Sequence, residues 1–185
     1  QQPVMKKQSV TIRGGERVGL IGPSGSGKTT FVNLLARLFD PQSGQIFIDG
    51  QDIKAIHQDS LHEAMSIVPQ VPYLFHRSVK ENIDYGKLGA SDEEIIAAAR
   101  KAQAHDFILE LPFGYNTIIG EHDVSLSYGQ CQRIILARAF IRETPIVILD
   151  EATSALDGIT EVQIQHSLNE FMKGKTTLVI VHKFS

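Results

Sequence analysis

The run Gly22-Pro23-Ser24-Gly25-Ser26-Gly27-Lys28-Thr29, followed by Thr30, decides how the rest of the 185-residue chain is read. It has the full G-x-x-x-x-G-K-T form of a P-loop. Glycines let the backbone curl until its N–H groups surround phosphate oxygens. A helix opening near Lys28 aims its positive end at the same anion. Lys28 then reaches the β- and γ-phosphates, and the Thr29 hydroxyl takes Mg2+. A plain turn would explain the glycines, but the flanks add to them. Arg17–Ile21 reads as a strand entering the loop. Phe31, Leu34, Leu35 and Leu38 fall at i, i+3, i+4 and i+7 of a helix leaving it.

Outward from this loop, short apolar strands alternate with helical patterns, the signature of an α/β domain with a largely parallel sheet. Val10–Ile12 is expected to be a first strand, turning at Gly14-Gly15 into Arg17–Ile21. Gln45–Ile48 reads as a strand ended by Asp49-Gly50, and Ile67–Val68 as a short strand. The middle of the chain is helical in texture. Ser91-Asp92-Glu93-Glu94 and Ser127-Tyr128-Gly129-Gln130 are capping boxes. The helix after Ser127 is apolar nearly all round apart from Arg133 and Arg138, which predicts burial. Strand character returns at Ile146–Leu149 and Thr177–Val181, with a helix over Thr160–Met172 between them.

Composition narrows the function. The hydrophobic share is 42% and the charged share 21%, ordinary for a soluble globular domain. A net charge of −3 argues against a binder that grips nucleic acid with a broad basic face. One cysteine, Cys131, excludes an internal disulfide and a cysteine-rich zinc site. No apolar run approaches the 18 or so residues of a membrane span.

Ile146-Val147-Ile148-Leu149-Asp150-Glu151 ends an apolar run in two carboxylates. Alone it is an acidic turn after a strand. Beside a P-loop, Asp150 fits the aspartate that organises Mg2+, and Glu151 the base that takes a proton from an attacking water.

Leu126-Ser127-Tyr128-Gly129-Gln130 resembles the L-S-G-G-Q signature of the ATP-binding cassette (ABC) family. The resemblance extends along the chain. Asp40-Pro41-Gln42-Ser43-Gly44 with Ile48-Asp49-Gly50, Val68-Pro69-Gln70, Ser154-Ala155-Leu156-Asp157 and Val181-His182-Lys183 are similar to further family segments. Phe75–Ile83 and His105–Tyr115 resemble stretches of its exporter branch, as does Thr117–Asp123.

The resemblance implies an α/β fold: a P-loop NTPase (RecA-like) core with a mainly parallel sheet, an N-terminal antiparallel β element and an inserted helical subdomain. The ATP-binding core would span 1–74 and 143–185, and the signature subdomain 75–142. It implies ATP and Mg2+ as cofactors and Mg-dependent ATP hydrolysis coupled to transport. Gln70 becomes a metal and γ-phosphate sensor, grouped with Thr29 and Asp150 as metal residues. His182 becomes a γ-phosphate switch residue. Ser127, Gly129 and Gln130 become contacts to nucleotide held by a second, identical nucleotide-binding domain. The remaining partner implied is a transmembrane domain of the same transporter, with no nucleic acid, at the cytoplasmic face of a membrane. Tyr73-Leu74-Phe75 is expected to be partly exposed and to dock that domain.

Three departures from the family pattern stand out. Tyr128 replaces a signature glycine and would be strained at positive φ. Cys131 stands where a basic residue is common, and His122-Asp123 where E-R-G is usual. On the family register, the aromatic residue that stacks on adenine would fall ahead of Gln1, so weak, triphosphate-dominated ATP binding is expected. Two other readings exist. A soluble ABC ATPase acting on nucleic acid or ribosomes is disfavoured by the charge and the exporter-like stretches. A site that binds ATP without turnover is disfavoured by Glu151.

Overall fold

The computed structural model describes residues 8–23, 25–120, 125–150 and 158–181. Four strands, β1 (Arg17–Ile21), β4 (Met65–Val68), β5 (Ile146–Asp150) and β6 (Thr176–Val181), form one sheet in the order β1-β6-β5-β4. β6 runs parallel to both β1 and β5, with Ile21 opposite Val181 and Asp150 opposite Ile180. Interior parallel strands are covered on both faces, which is why β5 is apolar from Ile146 to Leu149 and buried from Val147 to its closing Asp150. β1, at the sheet edge, alternates between exposed and half-buried residues.

Helix α1 (Lys28–Leu35) lies on this sheet. Its Val32 joins Ile148, Leu178 and Ile180 in one core cluster, with Val18, Leu20, Phe31 and Leu35 packed around it. The expected apolar stripe reached Leu38, yet the helix stops three residues earlier and Leu38 is 56% exposed. The cause is a Schellman-type ending built on Arg37, whose φ is 51°. Arg37 N–H donates to Leu34 O, and Leu38 N–H to Asn33 O. Arg37 Nη1 in turn donates to the carbonyls of Ile53 and Ile56 at 3.0 and 2.7 Å, which offsets the left-handed backbone. A second cluster, Ala36, Ile53, Leu61 and Met65, sits beneath, with Leu61 supplied by α2 (Gln58–Glu63).

Val10–Ile12, expected to be a strand, forms none. The turn that should follow it does form, with Glu16 N–H donating to Arg13 O, but no described strand offers the preceding residues a ladder. Antiparallel pairing occurs instead between β2 (Phe47–Ile48) and β3 (Gln51–Asp52). Asp49 and Gly50 both take positive φ, 49° and 76°, as a two-residue hairpin of matching twist requires. The strand expected over Gln45–Ile48 thus ends at Asp49-Gly50 as anticipated, but only Phe47–Ile48 of it is paired, and the chain folds back into β3.

The chain divides into two compact units. One holds the residues up to Ser66, Thr144–Asp150 and those from Gly174 onward. The other holds Ile67–Glu143 and α7 (Gly158–Phe171). It begins earlier than position 75 and takes in α7, whose Phe171 ring packs 4.9 Å from that of Phe140. Its remaining helices are α3 (Val79–Asp84), α4 (Asp92–Lys101), α5 (His105–Glu110) and α6 (Tyr128–Phe140). α6 packs on α3 and α4, and Ile134, Leu136 and Ala137 are wholly buried, as its apolar circumference predicts.

Asn82, also wholly buried, ties this unit together. Its amide donates to the carbonyls of Phe75 and Ser78, both at 3.0 Å, while its Oδ1 accepts from Phe75 N–H and Arg138 Nη2. Arg138 also donates from Nε to Asn82 O and lies over the rings of Phe75 and Tyr85. Burial pushes its guanidinium down to about 10, still fully charged at neutral pH. Among the described residues, no helix is long and apolar enough to cross a membrane.

Candidate functional site

Parallel strands end at a common edge, and that edge gathers the first unit's polar groups. β1 finishes at Ile21 and hands the chain to the loop Gly22–Gly27; β5 finishes at Asp150 two strands away. Two inter-strand steps put these ends about 10 Å apart. Ligands of open α/β sheets bind beyond the strands' carboxyl ends, which is this edge.

The loop's glycines answer to geometry. Gly25 and Gly27 have φ of 77° and 94°, and Gly27 is the residue that caps α1. At Gly22 a Cβ would sit 2.8 Å from Ser26 Oγ, so any larger residue there would force the Ser26 side chain to turn away. Lys28 is 5% exposed and donates from Nζ to the carbonyls of Gly22 and Pro23 at 2.6 and 2.8 Å. The ammonium is thereby pinned inside the loop's curve, next to the first turn of α1. An anion at that turn meets backbone N–H groups, the helix dipole and this cation together. Thr29 is exposed and Thr30 half-buried on the same turn.

Thr29 and Asp150 belong to one unit, and their hydroxyl and carboxylate are hard oxygen donors suited to Mg2+. Among the described residues no group of three or more His, Cys, Asp or Glu gathers to hold a metal. A hydroxyl and one carboxylate fill only part of the octahedral shell of Mg2+, leaving positions that phosphate oxygens and water can take. Ser24, Glu151 and His182 lie outside the described residues, as do Ser154–Asp157 and His122-Asp123.

The second unit carries the other candidates. Ser127 caps α6: its Oγ accepts from Gln130 N–H at 3.2 Å, and Gln130 Oε1 accepts from Ser127 N–H at 2.8 Å. Gln130's carbonyl oxygen therefore serves the turn itself, while Gly129 lies within the helix's first turn, where backbone N–H groups have no intrahelical acceptor. Tyr128 is the first helical residue and has no positive φ, so the expected backbone strain is absent. Its hydroxyl donates to the backbone carbonyl of Gln70, in the exposed loop after β4. Cys131 sits one residue past Gln130; burial pushes its thiol up, away from the reactive thiolate. Neither the Tyr128–Gln70 bond nor the Asn82–Arg138 pairing carried a sequence signal, because each joins residues far apart in the chain. A third capping box, Ser78 with Glu81, did carry one in Ser78-Val79-Lys80-Glu81.

Residues 5–154 match the family model of the ABC transporter, and the chain belongs to that family, whose ATP-binding domains hydrolyse ATP to power transport. It is 52% identical over 183 residues to the ATP-dependent lipid A-core flippase of Syntrophus aciditrophicus, covering 99% of this chain and 30% of that protein. It is 46% identical to ABC transporter B family member 3 of Dictyostelium discoideum, spanning 13% of that protein. Among solved structures, a bacterial Atm1-family ABC exporter with ATP bound superposes with a TM-score of 0.86 at 45% identity, over 93% of this chain and 30% of the exporter. The chain thus spans under a third of these relatives.

Proposed function

We propose that this chain is the ATP-hydrolysing motor domain of an exporter, at the cytoplasmic face of a membrane. It works as one of a pair that closes over two ATP molecules and pulls on attached transmembrane helices. The observation that carries this reading is the shared sheet edge, where the pinned Lys28 loop and the buried Asp150 carboxylate terminate neighbouring parts of one parallel sheet. The 52% identity to a flippase supports the transport role.

In this mechanism the backbone of Gly22–Thr30 and the Lys28 ammonium bind the triphosphate and neutralise its charge. Thr29, Asp150 and Gln70 would hold Mg2+, which supplies further charge neutralisation at the transferring phosphoryl group. Glu151 follows Asp150 in the chain and accepts a proton from the attacking water. His182 follows β6 and senses the γ-phosphate. Ser127, Gly129 and Gln130 present the start of α6 to nucleotide held by the partner domain. Tyr73 and Phe75, 76% and 42% exposed, offer an aromatic surface for the transmembrane domain.

Two substitutions separate the roles. Lys28→Ala is expected to weaken ATP binding, since it removes a ground-state phosphate contact. Glu151→Gln is expected to bind ATP as the parent does and to turn over about 100-fold more slowly or worse. Nucleotide affinity and steady-state hydrolysis measured on both decide it; parental turnover in Glu151→Gln would remove Glu151 as the base.

A further inference from the structure

We propose that Tyr128 is a positioning residue for Gln70, acting through the bond from its hydroxyl to the Gln70 backbone carbonyl. This inference rests on the role given to Gln70 under the proposed function. The two residues are 58 positions apart, so the bond fastens the loop after β4 to the first turn of α6 within one subunit. Three observations support a strap over a chance contact. Gln70 is exposed and follows Pro69, so little burial holds its loop. The other end of the strap is rigid, because Ser127 and Gln130 lock the start of α6 in a reciprocal capping box. Tyr128 itself adopts ordinary helical backbone, so the contact needs no positive φ at its end of the bond. The glycine of the signature that this segment resembles has no side chain to make such a bond.

A loop restrained at its carbonyl has fewer conformations to lose when the Gln70 side chain engages its target. The gain falls on turnover, because nucleotide is gripped in the ground state by the Lys28 loop. Removing the hydroxyl alone should therefore lower kcat about 2- to 10-fold, the range of one net hydrogen bond, with KM for ATP nearly unchanged. It should also have no effect once Gln70 is gone.

The test is a double-mutant cycle in the whole protein: parent, Tyr128→Phe, Gln70→Ala and both together, with kcat and KM for ATP measured on each. Amide hydrogen exchange is followed in parallel over residues 70–73. The expected result has three parts: the kcat loss in Tyr128→Phe, faster exchange at 70–73 with α4 unchanged, and no loss in the double variant beyond that of Gln70→Ala. If Gln70→Ala is impaired but Tyr128→Phe is not, or if the two losses multiply, the strap is overturned and the role of Gln70 stands. If Gln70→Ala turns over like the parent, the role of Gln70 falls and the strap falls with it. Unchanged exchange at 70–73 in Tyr128→Phe also overturns the proposal.

Discussion

Asn82 shows how much one side chain can carry. Wholly buried, it closes a ring of hydrogen bonds with Phe75, Ser78 and Arg138, so its loss leaves several polar groups without water or partner. Asn82→Ala is expected to cost about 3 kcal/mol or more of stability, read from urea unfolding. An unchanged midpoint would mean that the ring makes no net contribution. Arg138 in the same ring contributes no pH dependence near neutrality. Its charged form is disfavoured in the fold, with the group held at about 10, below its free value, so both states are fully protonated below about pH 9. Between those two values the unfolded chain binds more protons, so this residue adds stability only as pH rises through that window.

At the scale of elements, Gly86 allows a close approach between backbones. A Cβ on Gly86 would collide with the Arg138 carbonyl oxygen and stand 2.7 Å from Ile141 Cγ2, at the C-terminal end of α6. Gly86→Ala is therefore expected to destabilise by about 1–3 kcal/mol through overpacking. Gly14→Ala, in open space, should change stability by less than about 0.5 kcal/mol. Thermal denaturation of the pair compares them, and equal melting temperatures would deny the tight contact. The elements also show what a sequence can disclose. The P-loop, its entering strand and the capping boxes at Ser91 and Ser127 were legible because each is a local pattern whose physics is complete within four to eight residues. The stop of α1 was not, because Arg37 takes a left-handed conformation that a glycine usually announces. Val10–Ile12 looked like a strand by composition, yet strands exist only in pairs, and pairing is not written locally. The bonds of Asn82 with Arg138 and of Tyr128 with Gln70 were invisible for the same reason.

For the whole molecule, the functional claim is that the site is finished by a second copy. The candidate contacts divide between the two compact units: Lys28, Thr29 and Asp150 in one, Ser127 and Gly129 in the other. A ligand favours an assembly only by the extra affinity it has for that state. ATP should therefore drive pairing, most visibly in Glu151→Gln, where slow turnover preserves the bound nucleotide. Sedimentation of the whole protein's ATP-binding portion with and without ATP measures this. A single species of unchanged mass at saturating ATP would count against the composite site.

The position of β6 in the sheet has a consequence for how the protein is made. β1 and β5 never touch; both are joined through β6, the last strand in the described chain. On the ribosome, this sheet neighbour of β1 emerges only some 155 residues after Ile21, at Thr176. At 5–20 residues per second, roughly 8–30 s pass in which the P-loop strand lacks the neighbour it has among the described residues. Throughout that interval Val18 and Leu20 lack the cover that Leu178 and Ile180 give them, and the nascent polypeptide has no assembled edge with which to hold nucleotide. Synonymous codons that slow translation between β5 and β6 would lengthen that interval without changing a single amino acid.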